Sequence, residues 1–215
     1  MAIVAPSLLA ANFLKLDEEC RMLNDSEADW FHLDIMDGRF VPNISFGPMI
    51  VKFIRKTTKK YCDVHLMIVE PHLYFKPFKD AGADGLSIHI EACPNLLEDL
   101  AQIRSLGMDP GVAISPDTPI ASLAPALAHI HVVCVMSVYP GFGGQAFIPR
   151  TLDRIRELRQ LIDASGYPVK IEIDGGVTED NSAEIMAAGA DVLVAGSTVF
   201  NAPNPQQTII RLKNS

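Results

Sequence analysis

Short aliphatic runs alternate along the whole chain with stretches in which apolar residues return every third or fourth position. The first kind has the composition and period of a strand. The second has the period of a helix with one buried face. Strands are predicted at residues 3–7, 30–34, 63–67, 85–90, 111–114, 131–138, 169–174 and 192–195. Helices are predicted between and after them at 14–24, 48–57, 74–81, 95–106, 120–127, 151–164, 181–188 and 205–213. The first helix shows the rule, with Leu16, Cys20 and Leu23 at four- and three-residue steps. Pro48 opens the second in its first turn, and Gly107 follows the fourth. A weak internal echo supports a repeat: Ala81-Gly82-Ala83-Asp84 and Ala188-Gly189-Ala190-Asp191 each close a helix and open a strand. Glycine there suits the left-handed residue that ends a helix.

Strands separated by helices pair in parallel through right-handed crossovers. Eight such units predict an α/β fold, a closed (β/α)8 TIM barrel, with residues 1–215 as a single domain and little room for insertions. No linker, low-complexity segment or charge block divides the chain.

Composition narrows the function classes. Of 215 residues, 48% are hydrophobic and 20% charged, an ordinary globular balance. The formal charge of −8 argues against nucleic acid, which needs a basic face, but leaves room for a local anion site. No apolar run is long enough to span a bilayer, so no membrane partner is expected. The opening residues lack a charged, long-apolar leader and run straight into a strand. The four cysteines show no C-x-x-C spacing, and Cys62 and Cys134 sit inside apolar runs. Reduced core thiols in a cytoplasmic protein are the expected reading.

Candidate chemistry starts at Phe31-His32-Leu33-Asp34-Ile35-Met36-Asp37-Gly38. His32 and Asp34 leave one face of a strand. On that stretch alone, a metal site and a buried His–Asp pair are both open. In a barrel, strand C-termini build the active site. That rule gathers Ser7, His32, Asp34, His65, Met67, Met136 and Asp174 at one mouth. Two histidines with two aspartates suit Zn²⁺, Fe²⁺, Mn²⁺ or Co²⁺ better than Ca²⁺ or Mg²⁺. One divalent ion per subunit is expected, with zinc first among these.

Glycines follow the last three strands in Gly141-Phe142-Gly143-Gly144, Gly175-Gly176 and Gly196-Ser197. Glycine lets backbone N–H groups approach an anion, and barrels often bind phosphate after their last strands. Gly141, Gly143 and Ala146 also fit a dinucleotide fingerprint, but outside the opening βαβ unit that the fingerprint requires. Met36, Met67 and Met136 lie at or just beyond strand ends, where they either pack the core or wall a reacting carbon. Such parts suit proton transfer next to a metal-polarised carbonyl, with Asp34 and Asp174 exchanging protons on opposite faces of one carbon.

Ala5-Pro6-Ser7-Leu8-Leu9-Ala10-Ala11-Asn12-Phe13, His32–Gly38, Phe40-Val41-Pro42-Asn43, Asp63-Val64-His65-Leu66-Met67, Pro140–Gln145 and Asp174-Gly175-Gly176 together closely resemble the ribulose-phosphate 3-epimerase family over nearly the full length. The resemblance implies a TIM barrel that interconverts D-ribulose 5-phosphate and D-xylulose 5-phosphate in the pentose phosphate pathway. It implies His32, Asp34, His65 and Asp174 as metal ligands, with Asp34 and Asp174 as the acid/base pair. It implies Ser7 and His65 as substrate contacts. Gly141, Phe142, Gly143, Gly144, Gly175, Gly176, Gly196 and Ser197 would hold the phosphate end, and Met36, Met67 and Met136 would wall the intermediate. Asp37 is expected to support its loop. Tyr139 and Ser115 depart from the asparagines usual in the family, and bear on substrate choice rather than reaction type. The alternatives are an epimerase for a hexulose 6-phosphate such as D-allulose 6-phosphate, and a non-catalytic phosphosugar-binding barrel. The partner is a small phosphorylated ketose, and self-association into a homo-oligomer is expected from apolar helix faces.

Overall fold

The computed structural model describes Met1–Ser215. Its strands are β1 (Ile3–Ala5), β2 (Trp30–Met36), β3 (Tyr61–Met67), β4 (Gly85–His89), β5 (Asp109–Ile114), β6 (Val132–Met136), β7 (Lys170–Asp174) and β8 (Val192–Val194). Its helices are α1 (Leu16–Asn24), α2 (Pro48–Thr57), α3 (Phe75–Ala81), α4 (Leu96–Ser105), α5 (Thr151–Ser165), α6 (Ser182–Ala188), α7 (Ser197–Phe200) and α8 (Pro205–Lys213). Every ladder is parallel, in the order β1-β8-β7-β6-β5-β4-β3-β2. The ring meets itself between β1 and β2. There a bridge joins Ser7 and His32, and the Asp29 and His32 N–H groups donate to the Val4 and Pro6 carbonyls at 2.9 and 3.1 Å. Ser7 therefore sits at the seam and not inside β1.

Side-chain alternation sorts each strand into two faces. Phe31, Leu33, Val64, Leu66 and Leu86 join the large core that also contains Val51 and Ile54 of α2 and Phe75 and Phe78 of α3. Each such buried side chain contributes about 1.5–3 kcal/mol. The intervening residues face the barrel interior, and on β2, β3, β4 and β7 many are polar: His32, Asp34, Asp63, His65, Ser87, His89, Glu172 and Asp174, all buried. The register sets His32 beside Asp63, Asp34 beside His65, and Met136 beside Asp174.

The internal echo has a structural counterpart. Gly82 and Gly189 end α3 and α6 at φ 100° and 118°. A Cβ at Gly82 would lie 2.3 Å from the Arg55 side chain, and one at Gly189 would lie 3.0 Å from that of Arg159. Each arginine crosses its glycine to pair with the following aspartate, Arg55 with Asp84 at 2.7 Å and Arg159 with Asp191 at 2.5 Å. Asp84 and Asp191 also accept the N–H groups of Cys62 and Ile171 at the feet of β3 and β7.

Beyond short 3₁₀ turns at Leu8–Ala10, Pro71–Leu73 and Ile90–Ala92, two elements differ from expectation. The segment predicted as a helix at 120–127 is a 3₁₀ helix, Ile120–His129, with Pro125 inside it. Proline has no N–H to donate and clashes with the preceding turn, so an α-helical ladder cannot run through it. Helix α7 is new, a single turn too short to show a hydrophobic period.

Candidate active site and metal centre

Four side chains close on one point at the barrel mouth. Their ligand atoms, from His32, Asp34, His65 and Asp174, all lie within 4.8 Å of one another. His32 Nε2 is 3.3 Å from Asp34 Oδ1 and 3.8 Å from Asp174 Oδ2. His65 Nδ1 is 3.2 Å from Asp34 Oδ1 and 3.3 Å from Asp174 Oδ2. Two donors each about 2.0–2.2 Å from a shared zinc, at the tetrahedral angle, would stand roughly 3.3–3.6 Å apart. His32 Nε2 is buried and makes no hydrogen bond. An orphaned imidazole nitrogen facing two buried carboxylates is a donor set that fits a divalent cation.

Electrostatics follow from the crowding. Burial alone would raise the Asp34 carboxyl, but the His32 and His65 imidazoles outweigh it and hold Asp34 below the ordinary carboxylate range. Burial disfavours charge on His65, yet the Asp174 and Asp34 carboxylates push it up to about 9. His32 is raised as well: Asp34 and Asp63 overcome its burial. Protons thus occupy these rings when no cation does. Ser7 Oγ donates to Asp34 Oδ2 at 2.5 Å, fixing the second oxygen of that carboxylate.

The site opens into a cavity of about 380 Å³, within the range of small-ligand pockets. It is lined by Ser7, Asp34, Asp174, the three methionines Met36, Met67 and Met136, and the glycine loops. Gly141, Phe142, Gly143, Gly144, Gly175, Gly176, Gly196 and Ser197 all line it. Gly175 and Gly176 have φ of 115° and 64°, and a Cβ on Gly176 would lie 2.3 Å from the Phe147 nitrogen. The two backbone segments can meet so closely there only with glycine. Helix α7 starts at Ser197 beside these loops, the arrangement in which barrels commonly bind phosphate.

Some expectations place differently. His65, expected to touch substrate, is fully buried and does not line the cavity; its Nδ1 meets Asp34 and Asp174 instead. Tyr139 and Ser115 also lie outside the lining. The Tyr139 hydroxyl donates to Asp117 Oδ2 at 3.0 Å, and the Ser115 N–H donates to Glu91 Oε1 at 2.8 Å. Asp37 does brace its loop, accepting N–H groups from Arg39, Phe40 and Val69 at 2.8, 2.9 and 2.8 Å. Behind the four-residue cluster stand polar groups that motif reading passes over: Asp63 against His32, and His89 against His65. Their signal was the same two-residue step, Asp63 to His65 and Ser87 to His89.

A parallel (β/α)8 barrel with buried imidazole and carboxylate groups under a glycine-lined mouth defines a class of barrel enzymes. The family model described as "Ribulose-phosphate 3 epimerase family" matches residues 3–200, and the chain belongs to that family. It is 50% identical over 215 residues to the ribulose-phosphate 3-epimerase of Synechocystis sp., covering 99% of this chain and 94% of that one. It is 42% identical to the enzyme of that name from Bacillus subtilis, covering 100% of both. The likeness extends in fold to orotidine 5'-phosphate decarboxylase from Pyrococcus horikoshii, with a TM-score of 0.72 at 14% identity over 98% of this chain and 97% of that one.

Proposed function

We propose that this chain epimerises D-ribulose 5-phosphate to D-xylulose 5-phosphate at C3 by two-base proton transfer through an enediolate. The observation that carries the reading is the pair Asp34 and Asp174. They reach one cavity from β2 and β7, with β1 and β8 between them, and both contact His65 Nδ1. A non-catalytic binding barrel has no need of two acids so placed. The relatives named above carry the pentulose-phosphate name, which favours that substrate over a hexulose 6-phosphate.

His32, Asp34, His65 and Asp174 would hold a divalent ion, zinc in this reading, which when bound would supply Lewis acidity and offset developing negative charge. The chain's residues do the rest. One aspartate takes the C3 proton on one face, the other returns a proton to the opposite face, and the roles exchange in the reverse reaction. Ser7 holds Asp34 in place through its hydroxyl. The three methionines form an apolar, polarizable wall that keeps water from the carbanion. The glycine loops offer backbone N–H groups to the phosphate end.

The four cysteines are buried and unpaired, which fits a reducing cytoplasm. No helix is long and apolar enough to cross a membrane. Self-association as a homo-oligomer fits the exposed side chains of Leu14, Ile44, Met49 and Phe53, and light scattering on a sizing column measures it. Steady-state assays on D-ribulose 5-phosphate and D-allulose 6-phosphate test the function directly. A higher kcat/KM on the pentulose is expected, and a higher value on the hexulose overturns the choice of substrate.

A further inference from the structure

The two histidines of the cluster face it with different nitrogens, His32 with Nε2 and His65 with Nδ1. An imidazole can donate a lone pair from Nδ1 only if its proton sits on Nε2. What lies behind Nε2 therefore decides whether His65 can ligate at all. Behind it is His89, with Nε2 to Nε2 at 2.9 Å. The rings stack with centroids 5.0 Å apart, and Phe40 covers the His89 ring at 4.7 Å. At that separation one ring donates and the other accepts.

Glu91 determines which. His89 Nδ1 is 3.0 Å from Glu91 Oε2. The other oxygen, Oε1, accepts the Ser115 N–H at 2.8 Å and the Thr118 hydroxyl. Burial raises the Glu91 carboxyl, but these three donors outweigh it and bring it down to about 2. An ionised carboxylate only accepts, so the His89 proton must be on Nδ1. His89 Nε2 then carries a lone pair, and the His65 proton must be on Nε2 to meet it. Reversing any one proton leaves two lone pairs, or two N–H groups, facing each other in a buried site.

We propose that His89 and Glu91 are positioning residues that fix the tautomer of His65 and so present its Nδ1 lone pair to the metal. The assignment rests on reading the four-residue cluster as a metal centre. It extends that centre across β4 to the loop after β5, where Ser115 and Thr118 anchor the outer end. Ser115 thereby acquires a role as a backbone donor to Glu91, away from the sugar.

The decisive variant is Glu91→Gln. Ser115 and Thr118 both donate to the Oε1 position, so they hold the amide oxygen there and turn the NH₂ toward His89. His89 Nδ1 must then accept, which reverses the relay and puts the wrong tautomer on His65. Long-range ¹⁵N–¹H NMR of zinc-loaded, histidine-labelled protein reads the protons directly. In wild type the His65 proton is expected on Nε2 and the His89 proton on Nδ1. In Glu91→Gln, zinc affinity by chelator competition is expected to fall about 10- to 100-fold, the usual effect of removing a hydrogen-bonded support behind a metal ligand. Glu91→Asp keeps an ionised acceptor and is expected to recover part of that loss. Zinc affinity in Glu91→Gln equal to wild type, or a wild-type His65 protonated on Nδ1 with zinc bound, overturns the proposal. The wild-type spectrum decides even if the variant does not fold. Failure of zinc-loaded wild type to turn over either sugar phosphate would defeat the proposed reaction and leave these readouts standing.

Discussion

The supports behind the two histidines are built from different materials. His32 Nδ1 is 2.7 Å from Asp63, and Glu172 stands 3.9 Å from the same nitrogen. That arm is sealed: Asp63 and Glu172 are buried in the barrel, and neither Glu172 oxygen makes a hydrogen bond. Burial and the Asp63 charge push the Glu172 carboxyl well up, toward its neutral form. The His65 arm passes instead through a neutral imidazole to Glu91, which reaches the loops at the mouth. A carboxylate directly behind a ligand makes the imidazole a stronger donor, whereas an intervening imidazole fixes direction with less charge. With an ion bound, the sealed arm would anchor it, and the open arm would tie it to the loops at the mouth.

The largest effects are expected at the carboxylates that both histidines share in front. Asp174→Asn is expected to lower kcat/KM about 10²- to 10⁴-fold with circular dichroism unchanged, since in the proposed reaction it removes one of two acid/base groups. Residual activity near wild type would defeat the two-base reading. Behind the cluster, Asp63→Asn should weaken zinc binding about 10- to 100-fold, as the charged support of His32 is lost. Glu172→Gln should change zinc affinity far less, because an amide replaces a carboxyl already pushed toward its neutral form. Equal losses in the two variants would show that the sealed arm works as one charged unit.

Protons and metal compete for the same rings, which gives a pH test. In protein stripped of metal, His65 is raised from 6.5 to about 9 by Asp174 and Asp34 against the cost of burial. A raised folded-state pKa contributes stability that is full below 6.5 and lost as pH rises through about 9. Thermal melting of the stripped protein should therefore fall across that window. Zinc-loaded protein should lack this slope, because its ring is already deprotonated. The smallest effect is expected at Tyr139. Its hydroxyl donates to the exposed Asp117 carboxylate outside the cavity, so Tyr139→Phe should move kcat/KM by less than about tenfold.

Much of the fold is legible because each strand and helix carries its own period, and eight repetitions leave few topologies. The four-residue cluster is legible because strand C-termini in a barrel share one mouth. What stays hidden depends on contacts between strands. Asp63, His89 and Glu172 lie on inward faces that the two-residue step identifies, but only the pairing of β2 with β3 and of β3 with β4 sets Asp63 and His89 behind their ligands, and Glu172 approaches His32 from β7 across the barrel interior. Helix α7 has too few residues to show a period, and Pro125 turns an apparently helical apolar run into 3₁₀ turns. Tyr139 illustrates the converse. Its position beside the glycine loop suggests the pocket, while its hydroxyl is engaged by Asp117 outside it.

If protons leave and enter C3 through two carboxylates, solvent isotope must appear at that carbon. D-Ribulose 5-phosphate turned over in D₂O by the metal-loaded protein should give D-xylulose 5-phosphate with deuterium at C3 from the first turnover, read by NMR or mass spectrometry. The returning aspartate has exchanged with solvent before it donates. Product that keeps the original protium at C3 would contradict the two-base mechanism.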